Sequence, residues 1–117
     1  MKAYTDLEQS KKLAEILPLK SADMCYIKGK AHLGFLYEEY KEFGDSILQE
    51  YEPCWSLAAL LDALPEGVIE NYYAPNLQKE NGKYSIAYGN EELLCIADNP
   101  IDVCYEMIIK LSELKML

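Results

Sequence analysis

The chain has 117 residues, half of them hydrophobic, which is enough for one domain with its own core. Its 20 Asp and Glu against 11 Lys and Arg give a net charge of -9, which disfavours direct binding to nucleic acid or to an anionic membrane. The composition is too apolar for an intrinsically disordered chain, so we expect a soluble acidic domain over residues 1–117.

The first predicted helix spans residues 6–17. Thr5 and Glu8 have the spacing of a capping box, and Pro18 ends the amphipathic pattern that follows. A short run of β-forming residues then predicts a strand over residues 24–27.

The next predicted helix covers residues 36–52 and is strongly acidic. Apolar side chains occupy one arc of its helical period, and the acidic ones occupy the opposite arc. Six acidic residues against Lys41 place a net charge of about −5 on this segment, more than half of the total. Gly44 weakens the pattern, so the alternative is a break at Gly44–Asp45 with a hairpin.

A third helix is predicted from Pro53, which is typical of the first turn of a helix, to Leu64. The run that follows Pro53 is apolar on nearly every side, which indicates a central, buried helix. We expect Trp55, at its start, to anchor the core.

Residues 68–97 predict a three-stranded antiparallel meander. Side chains alternate along this region, Asn81-Gly82 is a strong hairpin signal, and Gly89-Asn90 offers a second turn. Pro75 should interrupt or cap the first strand, because it has no N–H to donate.

The last predicted helix starts with Asp98 or Asn99 as its cap and Pro100 at its first position. We expect it to end within a residue or two of Leu117. The elements together predict an α+β fold, in which one three-stranded meander packs against about four helices.

The sequence predicts no metal and no cofactor. The four cysteines, Cys25, Cys54, Cys95 and Cys104, lack the spacing of zinc ligands and are expected to be free thiols packed as small apolar side chains. The chain contains no phosphate-binding loop, dinucleotide fingerprint or calcium loop. The N-terminus lacks the apolar core of a secretory signal, which favours a cytoplasmic location.

The sequence also predicts no catalytic residue. His32 is the single histidine, and a loop histidine is more often solvated than catalytic. The alternative is a small enzyme or ligand-binding domain, with a pocket near the sheet that uses tyrosine hydroxyls, Cys54 or His32.

Ten tyrosines are unusual for this length, and tyrosine is favoured where protein meets protein. The candidate interaction surface combines acidic residues of the predicted acidic helix with tyrosines of the meander: Glu38, Glu42, Asp45, Glu52, Tyr72, Tyr73, Tyr84 and Tyr88. The other interpretation of the tyrosines is packing against helices with their hydroxyls toward water.

We therefore expect a small non-enzymatic module that binds another protein. One alternative is a DNA mimic, in which the acidic row binds a nucleic-acid-binding protein. A second copy of the chain is a further candidate partner, because a strand edge rich in tyrosine can pair across a two-fold axis.

Several blocks of the chain carry a resemblance. They are Gln9–Leu13, Ser21–Met24, Pro53–Leu61, Leu64-Pro65, Asp98–Ile108 and Leu111–Leu117. These blocks, about half of the chain, resemble a family of small proteins of unknown function from anaerobic gut bacteria and their prophages and mobile elements. The resemblance implies a common fold and an accessory or regulatory role, and it supplies no catalytic residue, because the shared positions are those of cores and caps.

Overall fold

The fold is α+β, as the sequence predicts. The computed structural model describes residues 2–27, 29–33, 51–66, 74–89 and 93–117. Over these residues it has three α-helices and two antiparallel sheets of three strands each. The prediction of a single sheet is wrong, because Met24–Ile27, Lys30–Leu33 and Tyr51–Cys54 form a second one. The described residues contain three of the roughly four predicted helices.

The chain divides into two compact units. The N-terminal unit is Tyr4–Ala59, and the C-terminal unit is Leu60–Leu117 together with Met1–Ala3. That residues 1–117 form a single domain stays a prediction.

The N-terminal unit contains one helix and one sheet. Its elements are α1 (Leu7–Ile16), a 3-10 turn (Leu19–Ser21), β1 (Met24–Ile27), β2 (Lys30–Leu33) and β3 (Tyr51–Cys54). Strand β1 lies between β2 and β3 and is antiparallel to both. The strand predicted at residues 24–27 is confirmed.

Helix α1 and its N-cap each lie one residue later than predicted at the start of the helix. Asp6 is the N-cap, and its carboxylate accepts the N–H of Gln9 at 2.8 Å while the Gln9 side chain accepts the N–H of Asp6 at 3.0 Å. Thr5 and Glu8 were the wrong pair, because the Thr5 side chain is fully buried and bonds elsewhere. The capping box itself is present, shifted by one residue.

The predicted boundary between the second and third helices is wrong. Residues 51–54 are strand β3, so the acidic helix cannot extend to Glu52, and Pro53 lies opposite Cys25 of β1. A proline is tolerated on a strand at the edge of a sheet. The rest of the predicted acidic helix, with its alternative break at Gly44–Asp45, lies outside the described residues.

Helix α2 (Leu57–Ala63) therefore starts four residues after Pro53. The Ser56 hydroxyl accepts the N–H of Ala59 at 3.2 Å, as a helix cap does. Leu60 is fully buried, but Leu61 is 38% exposed. The helix is therefore buried on one side only, whereas the prediction was a central, buried helix.

The C-terminal unit contains the predicted meander. Strands β4 (Asn76–Glu80), β5 (Lys83–Tyr88) and β6 (Leu93–Ala97) pair antiparallel in that order. Asn81 and Gly82 have φ values of 52° and 76°, as the tight hairpin turn requires, and β4 starts directly after Pro75. Residues 68–73 lie outside the described residues.

Helix α3 (Pro100–Glu113) packs on β5 and β6. Its predicted cap is confirmed, since Asn99 accepts the N–H of Asp102 at 2.8 Å and Pro100 occupies the first turn. Its predicted end is wrong. The helix stops at Glu113 because Lys115 takes a φ of 58° and the Met116 N–H bonds back to the Leu111 carbonyl at 2.8 Å.

Apolar side chains are buried in both units, and Trp55 is confirmed as a core residue with no exposed surface. Its indole N–H donates to the Ser21 hydroxyl at 3.0 Å, so the one polar atom of the ring has a partner. Cys25, Cys54 and Cys104 are also buried, as predicted. Cys95 differs, because it is only half-buried.

Candidate functional site

An open groove lies between α3 and β6 in the C-terminal unit. One stripe of α3 is buried against the sheet, and the neighbouring stripe, with helical spacing, lines the groove. The groove has a volume of about 330 Å³, and its lining residues are Cys95, Tyr105, Glu106, Ile109, Lys110 and Glu113.

The lining combines apolar walls with charged groups. Tyr105, Ile109 and Lys110 are half-buried, while Glu106 and Glu113 are exposed. Two carboxylates against one ammonium make the described lining negative, as the whole chain is. Such a groove favours a ligand with apolar and cationic groups.

The Cys95 thiol contributes to the wall of the groove without being activated. Burial raises its pKa, and the nearby Lys110 offsets part of that shift while Glu106 adds to it. The thiol is therefore protonated at neutral pH, whereas a nucleophilic cysteine needs a lowered pKa.

Strand β6 also exposes an apolar side chain. Cys95 pairs with Ile86 and shares the face on which α3 packs, so Leu94 and Ile96 lie on the opposite face. Ile96 is 56% exposed. The edge of β6 thus has the groove on one side and Ile96 on the other.

Of the four tyrosines in the predicted interaction surface, the structure describes Tyr84 and Tyr88. Tyr88 has no exposed surface, and its hydroxyl donates to the Pro65 carbonyl at 2.7 Å, so its assignment to a surface is wrong. Tyr84 is half-buried, with the Lys79 ammonium 5.6 Å from its ring centroid. Tyr72 and Tyr73 lie outside the described residues.

Of the four acidic residues in the predicted surface, the structure describes Glu52 alone. Glu52 is half-buried on strand β3, opposite Tyr26, and burial raises the pKa of its carboxyl while Lys11 partly offsets the shift. It therefore does not continue a helical row. Glu38, Glu42 and Asp45 lie outside the described residues.

The sheet of the N-terminal unit keeps His32 and Cys54 apart. Cys25 pairs with His32, whereas its neighbour Met24 pairs with Cys54. Successive residues of a strand point to opposite faces, so the imidazole and the thiol lie on opposite sides of the sheet. His32 is exposed and Cys54 is fully buried, and these two residues form no catalytic pair.

A buried polar cluster surrounds Thr5, and the sequence did not predict it. The Thr5 hydroxyl contacts the Ser10 hydroxyl at 2.8 Å and accepts the Trp55 N–H at 3.1 Å, and the Tyr26 hydroxyl donates to the Thr5 carbonyl at 2.7 Å. The Cys54 sulfur lies 3.7 Å from the Thr5 hydroxyl oxygen. Every polar group of the cluster has a hydrogen-bond partner. The cluster therefore has a structural role, in which it connects the N-terminal segment to β1 and β3, and it offers no free group to a ligand.

Neither metal ligands nor a membrane span emerge from the part of the chain that the structure describes. No three His, Cys, Asp or Glu side chains come together there as a metal site. None of the helices in those residues has the length and apolar character needed to cross a bilayer.

Compared with protein-family models, with curated proteins and with solved structures, the chain matches none of them. The resemblance to small proteins of gut bacteria and their mobile elements therefore stays a prediction. The site has to be interpreted from its own geometry.

Proposed function

We propose that the protein is a non-enzymatic module that binds another protein at the groove between α3 and β6. The observation that supports this proposal is the combination of that groove with the exposed Ile96 on the adjacent strand edge. Apolar side chains with a charged rim are the usual composition of a transient protein interface.

The role we propose is accessory or regulatory, in the cytoplasm of a bacterium or as a product of a mobile element. The four free thiols support a reducing compartment, where cysteines are kept reduced. The negative charge supports a protein partner over a nucleic acid.

Substitution of Ile96 tests this proposal. The tagged protein is incubated with native lysate, and the captured proteins are quantified by mass spectrometry. Ile96→Lys places a charge on the exposed face of β6 beside the groove, and we expect the recovery of a specific partner to fall by about tenfold. Far-UV circular dichroism checks that the variant keeps its fold.

Leu33→Lys is the matched control. Leu33 is an 88% exposed apolar residue on strand β2 of the N-terminal unit, so it undergoes the same change in charge outside the groove. It should retain the partner. Equal recovery by the wild type and both variants, or no specific partner at all, would contradict the proposal.

A further inference from the structure

The hairpin turn determines which backbone groups of β5 face β6. Asn81 and Gly82 form a two-residue turn, so the flanking residues Glu80 and Lys83 are a hydrogen-bonded pair. In an antiparallel ladder a residue directs its N–H and C=O to the same side, and the side alternates along the strand. The N–H and C=O of Lys83 point toward β4. Ile86 is three residues further along, an odd number, so its N–H and C=O point toward β6.

Among the strands that the structure describes, β6 pairs only with β5, and the same alternation leaves its outer edge open. Ile86 pairs with Cys95, so the N–H and C=O of Cys95 are used in the pairing with β5. Its neighbours Leu94 and Ile96 then direct their N–H and C=O groups away from β5. The Leu94 carbonyl accepts the Lys110 ammonium at 3.4 Å, which agrees with this direction.

Lys110 lies where a lysine can protect a sheet edge from pairing with other strands. A lysine at an edge strand occupies acceptors and discourages pairing with unselected strands. Here one carbonyl is occupied from the α3 side, and Ile96 stays 56% exposed on the other face.

We propose that the edge of β6 binds an extended, basic segment of its partner as an added strand. This inference rests on the proposed protein-binding function and specifies how the groove is used. Strand addition supplies affinity through main-chain hydrogen bonds and specificity through the alternating side chains. The occupant follows from where those side chains would point.

On the α3 side, the added strand faces Glu106 and Glu113, both exposed, with Tyr105 and Ile109 between them. Lysine or arginine fits this environment, because its methylene groups cover apolar surface while its charge reaches a carboxylate. On the other face, the added strand lies beside Ile96, which favours an apolar residue. The segment therefore alternates basic and apolar residues.

A synthetic peptide in which lysine and valine alternate is the probe, with binding followed by NMR chemical shifts at about 150 mM salt. We expect the resonances of β6 and α3 to shift.

N-methylation of one alternating set of peptide residues should weaken binding by about tenfold or more, because it removes the N–H groups that face β6. If the peptide adds antiparallel to β6, the valines are the residues whose N–H groups face β6. If it adds parallel, the lysines are those residues. The other set should be tolerated.

Charge is tested on the protein. Glu106→Lys with Glu113→Lys should weaken peptide binding by about tenfold. Glu15→Lys with Asp62→Lys makes the same change in net charge at exposed positions outside the groove and should retain binding.

Three outcomes would overturn the inference: no binding of the peptide, equal loss in the two charge-reversed proteins, or equal affinity of the two N-methylated peptides. If the Ile96→Lys variant still lost its partner in lysate, the surface formed by the groove and Ile96 would bind protein without strand addition, and the proposed function would stand. A dimer that Ile96→Lys converts to a monomer in light scattering would assign the edge to a second copy of the chain and likewise overturn the basic partner.

Discussion

The Tyr88 hydroxyl is a buried polar group whose charge state matters for stability. Its ring is inaccessible, and its hydrogen bond to the Pro65 carbonyl is made by the protonated form. Burial raises the pKa of Tyr88 to about 12, and Cys104 and Glu66 add to the shift. The unfolded chain has a tyrosine pKa of about 10, so the folded state favours the proton more strongly.

The stability that Tyr88 contributes should therefore be complete below about pH 10 and disappear as the pH approaches 12. We expect Tyr88→Phe to lower the free energy of unfolding by about 1 kcal/mol at neutral pH, through loss of the hydrogen bond. The difference from the wild type should shrink above pH 10, since phenylalanine cannot ionise. Urea unfolding at a series of pH values measures this difference.

Ile86→Val is the control for that series. Ile86 is a fully buried neighbour on the same strand, and its truncation should cost about 1 kcal/mol at every pH. A Tyr88→Phe difference that stayed equally constant from neutral to alkaline pH would contradict the assigned role of the hydroxyl.

Thr5 shows why single residues were harder to place from sequence than elements. Its spacing to Glu8 matched a capping box, but Asp6 and Gln9 form an equivalent pair one position later. The hydrogen bonds of Thr5 with Ser10 and Trp55 decide between the two candidate capping pairs, because they occupy the Thr5 side chain. Trp55 is 50 residues away in the chain. No local pattern records such a contact.

At the scale of elements, the Asn81-Gly82 turn fixes the register of β4 against β5. A β-carbon added at Gly82 would meet nothing within 4 Å, so its positive φ of 76° is the only obstacle to another residue there.

We therefore expect Gly82→Ala to lower the free energy of unfolding by about 1 kcal/mol through backbone strain alone. Asn81→Gly should leave it nearly unchanged, because glycine adopts the φ of 52° that Asn81 already has. Denaturant unfolding of both variants measures this contrast. An alanine variant as stable as the wild type would show that the turn does not require its left-handed conformation.

The elements that the sequence predicted well are those with local signals. The meander turn and the Asn99-Pro100 start of α3 each depend on neighbouring residues only. Strand β3 was predicted as helix because its pairing with β1 joins residues 51–54 to residues 24–27. A pattern confined to one segment could not reveal that pairing, although Ser56 before an apolar run was an available signal for the later start of α2.

At the scale of the whole molecule, the net charge and the groove support the same kind of partner. The net charge of -9 and the hydrophobic share of the residues follow directly from the sequence, and both are compatible with the proposed protein-binding role. The groove itself was not predictable, because it depends on α3 lying beside β6 and on Cys95 facing that helix. The contact of Lys110 with the Leu94 carbonyl was not predictable either, because it depends on the same packing of α3 beside β6.

Amide hydrogen exchange measured by NMR tests the open edge of β6 most directly. In the free protein we expect the Ile96 amide to exchange about a hundredfold faster than that of Cys95, because only Cys95 is bonded to β5. Addition of the alternating lysine–valine peptide should then slow exchange at Ile96. An Ile96 amide already as slow as Cys95 in the free protein would contradict the account, since the edge would be occupied before any partner arrives.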